Sequence, residues 1–196
     1  MALPNTTELR RIALEVLRNR LPEKKVWHCL FVAKHLCSFA PALGIPEAQA
    51  LAAGLLHDIG RALDGEEMLR RAEAYGLPVS EIERKRPNLL HGPIAAEECR
   101  RELGIDDPEV YEAIYWHTTG TPGLCLLGRA LYVADFSEPA RRYPEAAHTR
   151  ELLETRGFTE ALCYVAGMKA VFLERKKVVA PVSADFFRWL AEASPP

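Results

Sequence analysis

Residues 48–60 read AQALAAGLLHDIG, and the reading of this stretch decides the fold. Pro46 suits a first helical position and Gly60 is a helix-stop residue, so the spacing predicts a helix over 46–60, apolar from Ala48 to Leu56 apart from Gln49. His57 and Asp58 stand side by side at its end. Ionisable groups at the end of a hydrophobic helix cost free energy unless something compensates them. A bound metal compensates both at once, because neutral imidazole and carboxylate are common ligands of divalent metals. The two side chains diverge by ~100° around a helix, yet can reach one atom lying just off its end. A solvated helix terminus is the alternative, and the dipeptide alone does not choose.

Working outward, the pattern is helical almost throughout. Helices are predicted at 7–20, from Lys24 to before Pro41, at 64–75, 93–103, 108–117, 124–137, 158–177 and 183–192. Asp107 is a good N-cap with Pro108 behind it. Segment 77–90, with Pro78 and Pro87, reads as irregular, and the tail Ser194–Pro196 is expected to fray. No strand alternation is evident, so the expected fold class is an all-α helical bundle, one domain over 1–196 with its core at about 24–178.

Four further residues carry the ionisable theme. His28 begins a face continued by Val32, His35 and Phe39, and a second stripe of Leu30, Ala33 and Cys37 makes that helix central. Asp135 follows Leu127 and Leu131 at helical spacing and so faces inward, where a carboxylate needs a metal, a cation or donors. His117 ends a helix behind Val110, Ala113 and Ile114, and His91 precedes a helix that Pro93 can start. Each has a plain alternative: a core histidine bonded to a carbonyl, or an Asp135 paired with arginine. Their number at helix ends and faces is harder to ascribe to coincidence. His35 reads as packing or surface.

The whole chain sets bounds. Its 196 residues are 48% hydrophobic and 27% charged, with net charge −2 and no basic block of the kind that tracks nucleic acid. Met1–Arg11 has no signal-peptide core, and no run reaching the ~18 apolar residues of a membrane span is expected, so a cytoplasmic protein without membrane or nucleic-acid partners is expected. The five cysteines form no CxxC pair and read as reduced packing thiols.

The segments AGLLHDIGR (53–61), LLHGPIAAE (89–97), AIYWHTTGTPG (113–123) and LYVADFSEPAR (131–141) resemble the HD-domain metal-dependent phosphohydrolases. More narrowly, the chain resembles the YqeK-type symmetrical diadenosine tetraphosphate hydrolases over nearly its whole length. The resemblance implies that His28, His57, Asp58 and Asp135 hold one divalent ion. It implies that His91 and His117 support a second, with Asp58 bridging. Iron is favoured, with manganese or another divalent ion as alternatives, since a nitrogen and oxygen ligand set does not choose among them. Arg61 stands where the family often has Lys, Lys25 where it often has Arg, and Thr121 where it often has Arg.

What the resemblance implies is hydrolysis of diadenosine tetraphosphate to two ADP by water activated at the metals. Asp58, Arg61 and Arg141 are the catalytic candidates. Arg61 and Arg141 would also bind substrate, with Thr118 and Thr119 donating hydroxyl hydrogen bonds to phosphate. Arg84–Arg86 is a basic cluster that could reach phosphate or simply be solvated. Trp27, Tyr115 and Trp116 could stack on adenine or pack. Two other readings stay open: action on a nucleoside monophosphate or alarmone, and a nucleotide-binding regulator without turnover. A homodimer is a possible assembly.

Overall fold

A computed structural model describes residues 3–193. Eleven α-helices follow in order: α1 Thr6–Arg20, α2 Glu23–Phe39, α3 Glu47–Leu56, α4 Gly65–Tyr75, α5 Glu81–Lys85, α6 His91–Arg101, α7 Pro108–Trp116, α8 Leu126–Ser137, α9 Pro144–Thr155, α10 Phe158–Arg175 and α11 Pro181–Ala193. No strand occurs among the described residues. The expected fraying of Ser194–Pro196 lies outside the described residues.

The apolar stretch that ends in His57-Asp58 is central. Every residue from Ala50 to Leu56 is buried, and α3 packs against α1, α2, α7 and α8. Contact with α2 is close because Gly54 has no side chain: a Cβ there would lie 2.4 Å from the Ala33 Cα. That approach brings His28 on α2 towards His57 at the end of α3. Asp107 caps α7 as expected, accepting hydrogen bonds from the backbone N–H groups of Glu109 and Val110.

Four expectations need correction. Helix α3 stops at Leu56, and His57 to Ala62 form turns. Gly60 is not a left-handed stop; an added Cβ would meet the His91 carbonyl oxygen at 2.9 Å. Segment 77–90 is partly helical, because Ser80 and Glu83 form a capping box that starts α5. Helix α9 was absent from the expected set, although Pro144 sits in its first turn and Gly157 follows it. Finally, Glu23–Leu43 is long and apolar enough to cross a membrane by length and composition alone. In the fold this stretch is a bundle helix, with Cys29, Val32, Ala33 and Leu36 buried and Lys24 and Lys34 exposed.

His35 takes a packing role. Its Nε2 lies 3.0 Å from the Ser137 Oγ, and burial, with Arg150 nearby, pushes its pKa down from 6.5 to about 4. Between those values the unfolded chain binds a proton that the folded chain does not, so stability falls as pH falls. The loss amounts to at most about 3 kcal/mol. Urea unfolding of chelated protein between pH 7 and pH 4 should show a shallower loss in His35→Gln than in the parent. Equal pH slopes would remove His35 as a cause.

Candidate metal centre

Three histidines are presented in the same way by three helix ends. The Nδ1 of His57 lies 3.0 Å from the Gly54 carbonyl oxygen, that of His91 2.5 Å from the Asn88 oxygen, and that of His117 2.7 Å from the Ile114 oxygen. A carbonyl only accepts, so each Nδ1 carries the proton and each Nε2 presents a lone pair to the interior. This assignment follows from the hydrogen-bond partners. Gly92 permits the His91–His117 approach, since a Cβ there would lie 2.8 Å from the Tyr115 carbonyl and 3.1 Å from the His117 Nδ1.

The acceptor atoms converge. The Nε2 atoms of His91 and His117 are 2.9 Å apart. Asp58 Oδ1 lies 3.2 Å from the first and 3.7 Å from the second. The Thr118 hydroxyl lies 3.1 Å from each, but its one hydrogen cannot serve both lone pairs. On the other side of Asp58, the His57 Nε2 is buried without a hydrogen-bond partner. It stands 4.0 Å from Asp58 Oδ1 and 4.0 Å from Asp135 Oδ1. The His28 Nε2 is 3.0 Å from the same Asp135 oxygen. Lone pairs and carboxylate oxygens crowded in this way repel unless a cation lies among them. Ligand atoms of His28, His57 and Asp58, and those of Asp58, His91 and His117, lie within 4.8 Å of one another in each group, so each group fits a metal ion. No cysteine belongs to either group, and burial pushes the Cys29 and Cys99 thiols far up.

Electrostatics keep the donor set in ligating form. Burial lowers the His57 pKa to about 4 and also lowers that of His91, so both are neutral near pH 7. Burial opposes charge on Asp58, but a proton on any of the surrounding imidazoles, His57, His117 or His91, would outweigh it and hold the carboxyl well below its usual range. Asp135 is held low against burial by His28, His57 and Lys169.

Cations line the cleft of about 230 Å³ around these atoms. Lys25 Nζ is 3.1 Å from Asp58 Oδ2. Arg61 lies against the His91 ring, its Nη1 3.0 Å from Nδ1. Arg141 Nη2 is 3.3 Å from Asp135 Oδ1. The structure therefore brings together His28, His57, Asp58, His91, His117, Asp135, Arg61, Arg141 and Thr118. It separates Thr119, which lines a neighbouring apolar pocket with Tyr115 and Trp116. The Arg84–Arg86 segment is also apart from the cleft; Lys85 and Arg86 border a different groove beside Lys177.

Two residues of the site had no role in the sequence reading. Glu138, 3% exposed, accepts from His28 Nδ1 at 3.3 Å and from the Ala140 N–H at 2.6 Å. It thus orients His28 and also shapes the turn that carries Arg141. Lys169 sits with its Nζ 3.5 Å over the Tyr132 ring, and burial lowers its pKa to about 8. It is the only charge between Glu160 and Glu174, a signal that could have found it. Partners that orient ligating histidines affect metal affinity. Glu138→Gln should therefore weaken metal binding on the order of 10-fold, read by competition with a chromophoric chelator; unchanged affinity would assign Glu138 to the turn alone.

An HD domain model matches residues 26–140. A Bacillus subtilis protein named bis(5'-nucleosyl)-tetraphosphatase, symmetrical, is 32% identical over 94% of this chain and 99% of its own length. This chain belongs to the HD-domain family, among the symmetrical bis(5'-nucleosyl)-tetraphosphatases. A Staphylococcus aureus member of the same name is 30% identical, over 89% of this chain and 88% of its own. A crystal structure of a predicted HD superfamily hydrolase involved in NAD metabolism, from Clostridium acetobutylicum, matches with a TM-score of 0.88 at 25% identity. That match covers 98% of this chain and 100% of the other. The HD match spans all six candidate ligands, from His28 on α2 to Asp135 on α8.

Proposed function

We propose that this chain is a metal-dependent hydrolase that splits diadenosine tetraphosphate into two ADP. The observation that carries the reading is the convergence of His57, His91 and His117 Nε2 atoms on Asp58 in a cleft whose walls carry Lys25, Arg61, Arg141 and Lys169. The near full-length similarity to relatives named for this activity selects the substrate.

His28, His57, Asp58 and Asp135 would hold one ion, and His91, His117 and Asp58 a second, with iron preferred and manganese an alternative. Bound divalent ions supply what water and phosphate lack, a lowered water pKa and neutralised phosphoryl charge. The chain's own groups do the rest. Arg61, Arg141, Lys25 and Lys169 meet a polyphosphate with positive charge on several walls. The Thr118 hydroxyl, 3.1 Å from two imidazoles, is placed to donate to a phosphoryl oxygen or orient water. Burial of His57 and His91 keeps their lone pairs unprotonated where the chemistry needs them.

The test is turnover by metal-loaded protein with products resolved chromatographically. ADP as the sole product is expected; equal AMP and ATP would refute symmetrical cleavage, and no turnover would refute the substrate. The two-ion reading has its own check. His91→Ala and His117→Ala should each reduce metal content towards one ion per chain by elemental analysis, with turnover depressed. Parent stoichiometry in both variants would make these histidines structural.

A further inference from the structure

We infer that Trp27 and Phe172 are the seats of the two purine bases, one on each helix flanking the helix that carries Asp135. This inference rests on the proposed dinucleotide substrate and deepens it. Large apolar side chains left in water forgo the free energy of burial, so each such residue asks for a reason. Among the described residues, Trp27 is 52% exposed, Phe172 58% and Val171 42%, and they are the exposed large hydrophobics. Phe172 lines the metal cleft with Lys169, and Trp27 the groove that adjoins it. That groove, of about 720 Å³, shares Lys25, His28 and Arg141 with the cleft. Tyr115 and Trp116, by contrast, are half-buried.

The helix positions match what the substrate requires. Trp27 is on α2 and Phe172 on α10, and both helices pack on α8, which presents Asp135. A dinucleoside tetraphosphate has a nucleoside at each end of one phosphate chain. If its middle anhydride lies over the His/Asp cluster, its two ends leave in different directions and need two seats. Trp27 is supported from behind by Phe31, with ring centroids 6.1 Å apart at 29°, which holds the indole for stacking. Stacking reads the π-face of a base and tolerates a change of base.

The experiment uses metal-loaded full-length protein. Trp27→Ala and Phe172→Ala should each raise KM for diadenosine tetraphosphate on the order of 10-fold, with a much smaller change in kcat. Inhibition by inorganic tetraphosphate, which has no base, should not change. Trp27→Phe and Phe172→Tyr should restore KM. ADP should quench tryptophan fluorescence in the parent and not in Trp27→Phe, although that variant still binds ADP. An unchanged KM in either alanine variant overturns the inference, as does an equal loss of tetraphosphate inhibition or a quench that survives in Trp27→Phe. Conversion of a dimer to a monomer by Phe172→Ala, with KM unchanged, would instead make Phe172 a self-association contact. Should the parent fail to cleave the dinucleotide, the proposed function falls, while the ADP quench still decides Trp27.

Discussion

Asp58→Ala should lower turnover of diadenosine tetraphosphate by more than about 10³-fold and strip bound metal, because the metal's lowering of the water pKa from ~15.7 towards ~7 is what the reaction would lose. Asp58 is the one carboxylate common to both ligand groups. It faces the Nε2 atoms of His57, His91 and His117 at 4.0, 3.2 and 3.7 Å. Its other oxygen accepts from Lys25. Removing it leaves His91 and His117 with no carboxylate and the Lys25 ammonium unpaired beside them, while the His28 and His57 side keeps only Asp135, so the negative charge that balances two cations is lost. Asp58→Asn keeps the volume and separates loss of charge from loss of packing. Both variants should keep the helical circular dichroism of the parent, since the α3 core from Ala50 to Leu56 is untouched. Full turnover in either variant, or in chelated protein, would end the metal reading.

The helices and their inward faces were legible because they rest on local pattern. The apolar run before His57, the Asp107 cap and the spacing of Leu127, Leu131 and Asp135 each state a helix and a direction. What escaped depends on contacts distant in sequence. Glu138 follows a helix and precedes a proline, the pattern of an exposed turn; only the bond to His28, 110 positions away, gives it a role. Gly60 reads as a stop because glycine often is one, yet its neighbour is the His91 carbonyl. Gly54 and Gly92 act in the same way, setting how closely α2 meets α3 and α6 meets α7. Helix α9 had its start and stop in the sequence but no chemistry to draw the eye. Thr119 was grouped with Thr118 by adjacency; the turn after α7 sends the two into different pockets.

Arg141→Ala should lower kcat/KM on the order of 10²-fold, the usual cost of removing one strong electrostatic donor, with metal content unchanged. Arg141 reaches the cleft from the turn after α8, where its backbone N–H bonds to the Glu138 carbonyl. Its contact with Asp135 is long, at 3.3 Å, and its Nε has no hydrogen-bond partner. That Nε is buried 3.6 Å from Glu138 Oε1, so the donors left for a phosphate are those of the two Nη atoms. Arg61 approaches from the turn after α3, against His91. Two guanidinium groups from different turns, on phosphates either side of the middle anhydride, would fix which phosphorus faces the attacking water. They would also stabilise charge as ADP departs. Arg141→Lys should recover only part of the loss, because an ammonium is a point charge without the planar fork. The product remains ADP in the parent and in Arg141→Lys; in Arg141→Ala some AMP and ATP should appear as the chain of phosphates slips. A kcat/KM within twofold of the parent would show that Arg141 does not meet the phosphates. Loss of metal together with activity would mean that it acts through Asp135.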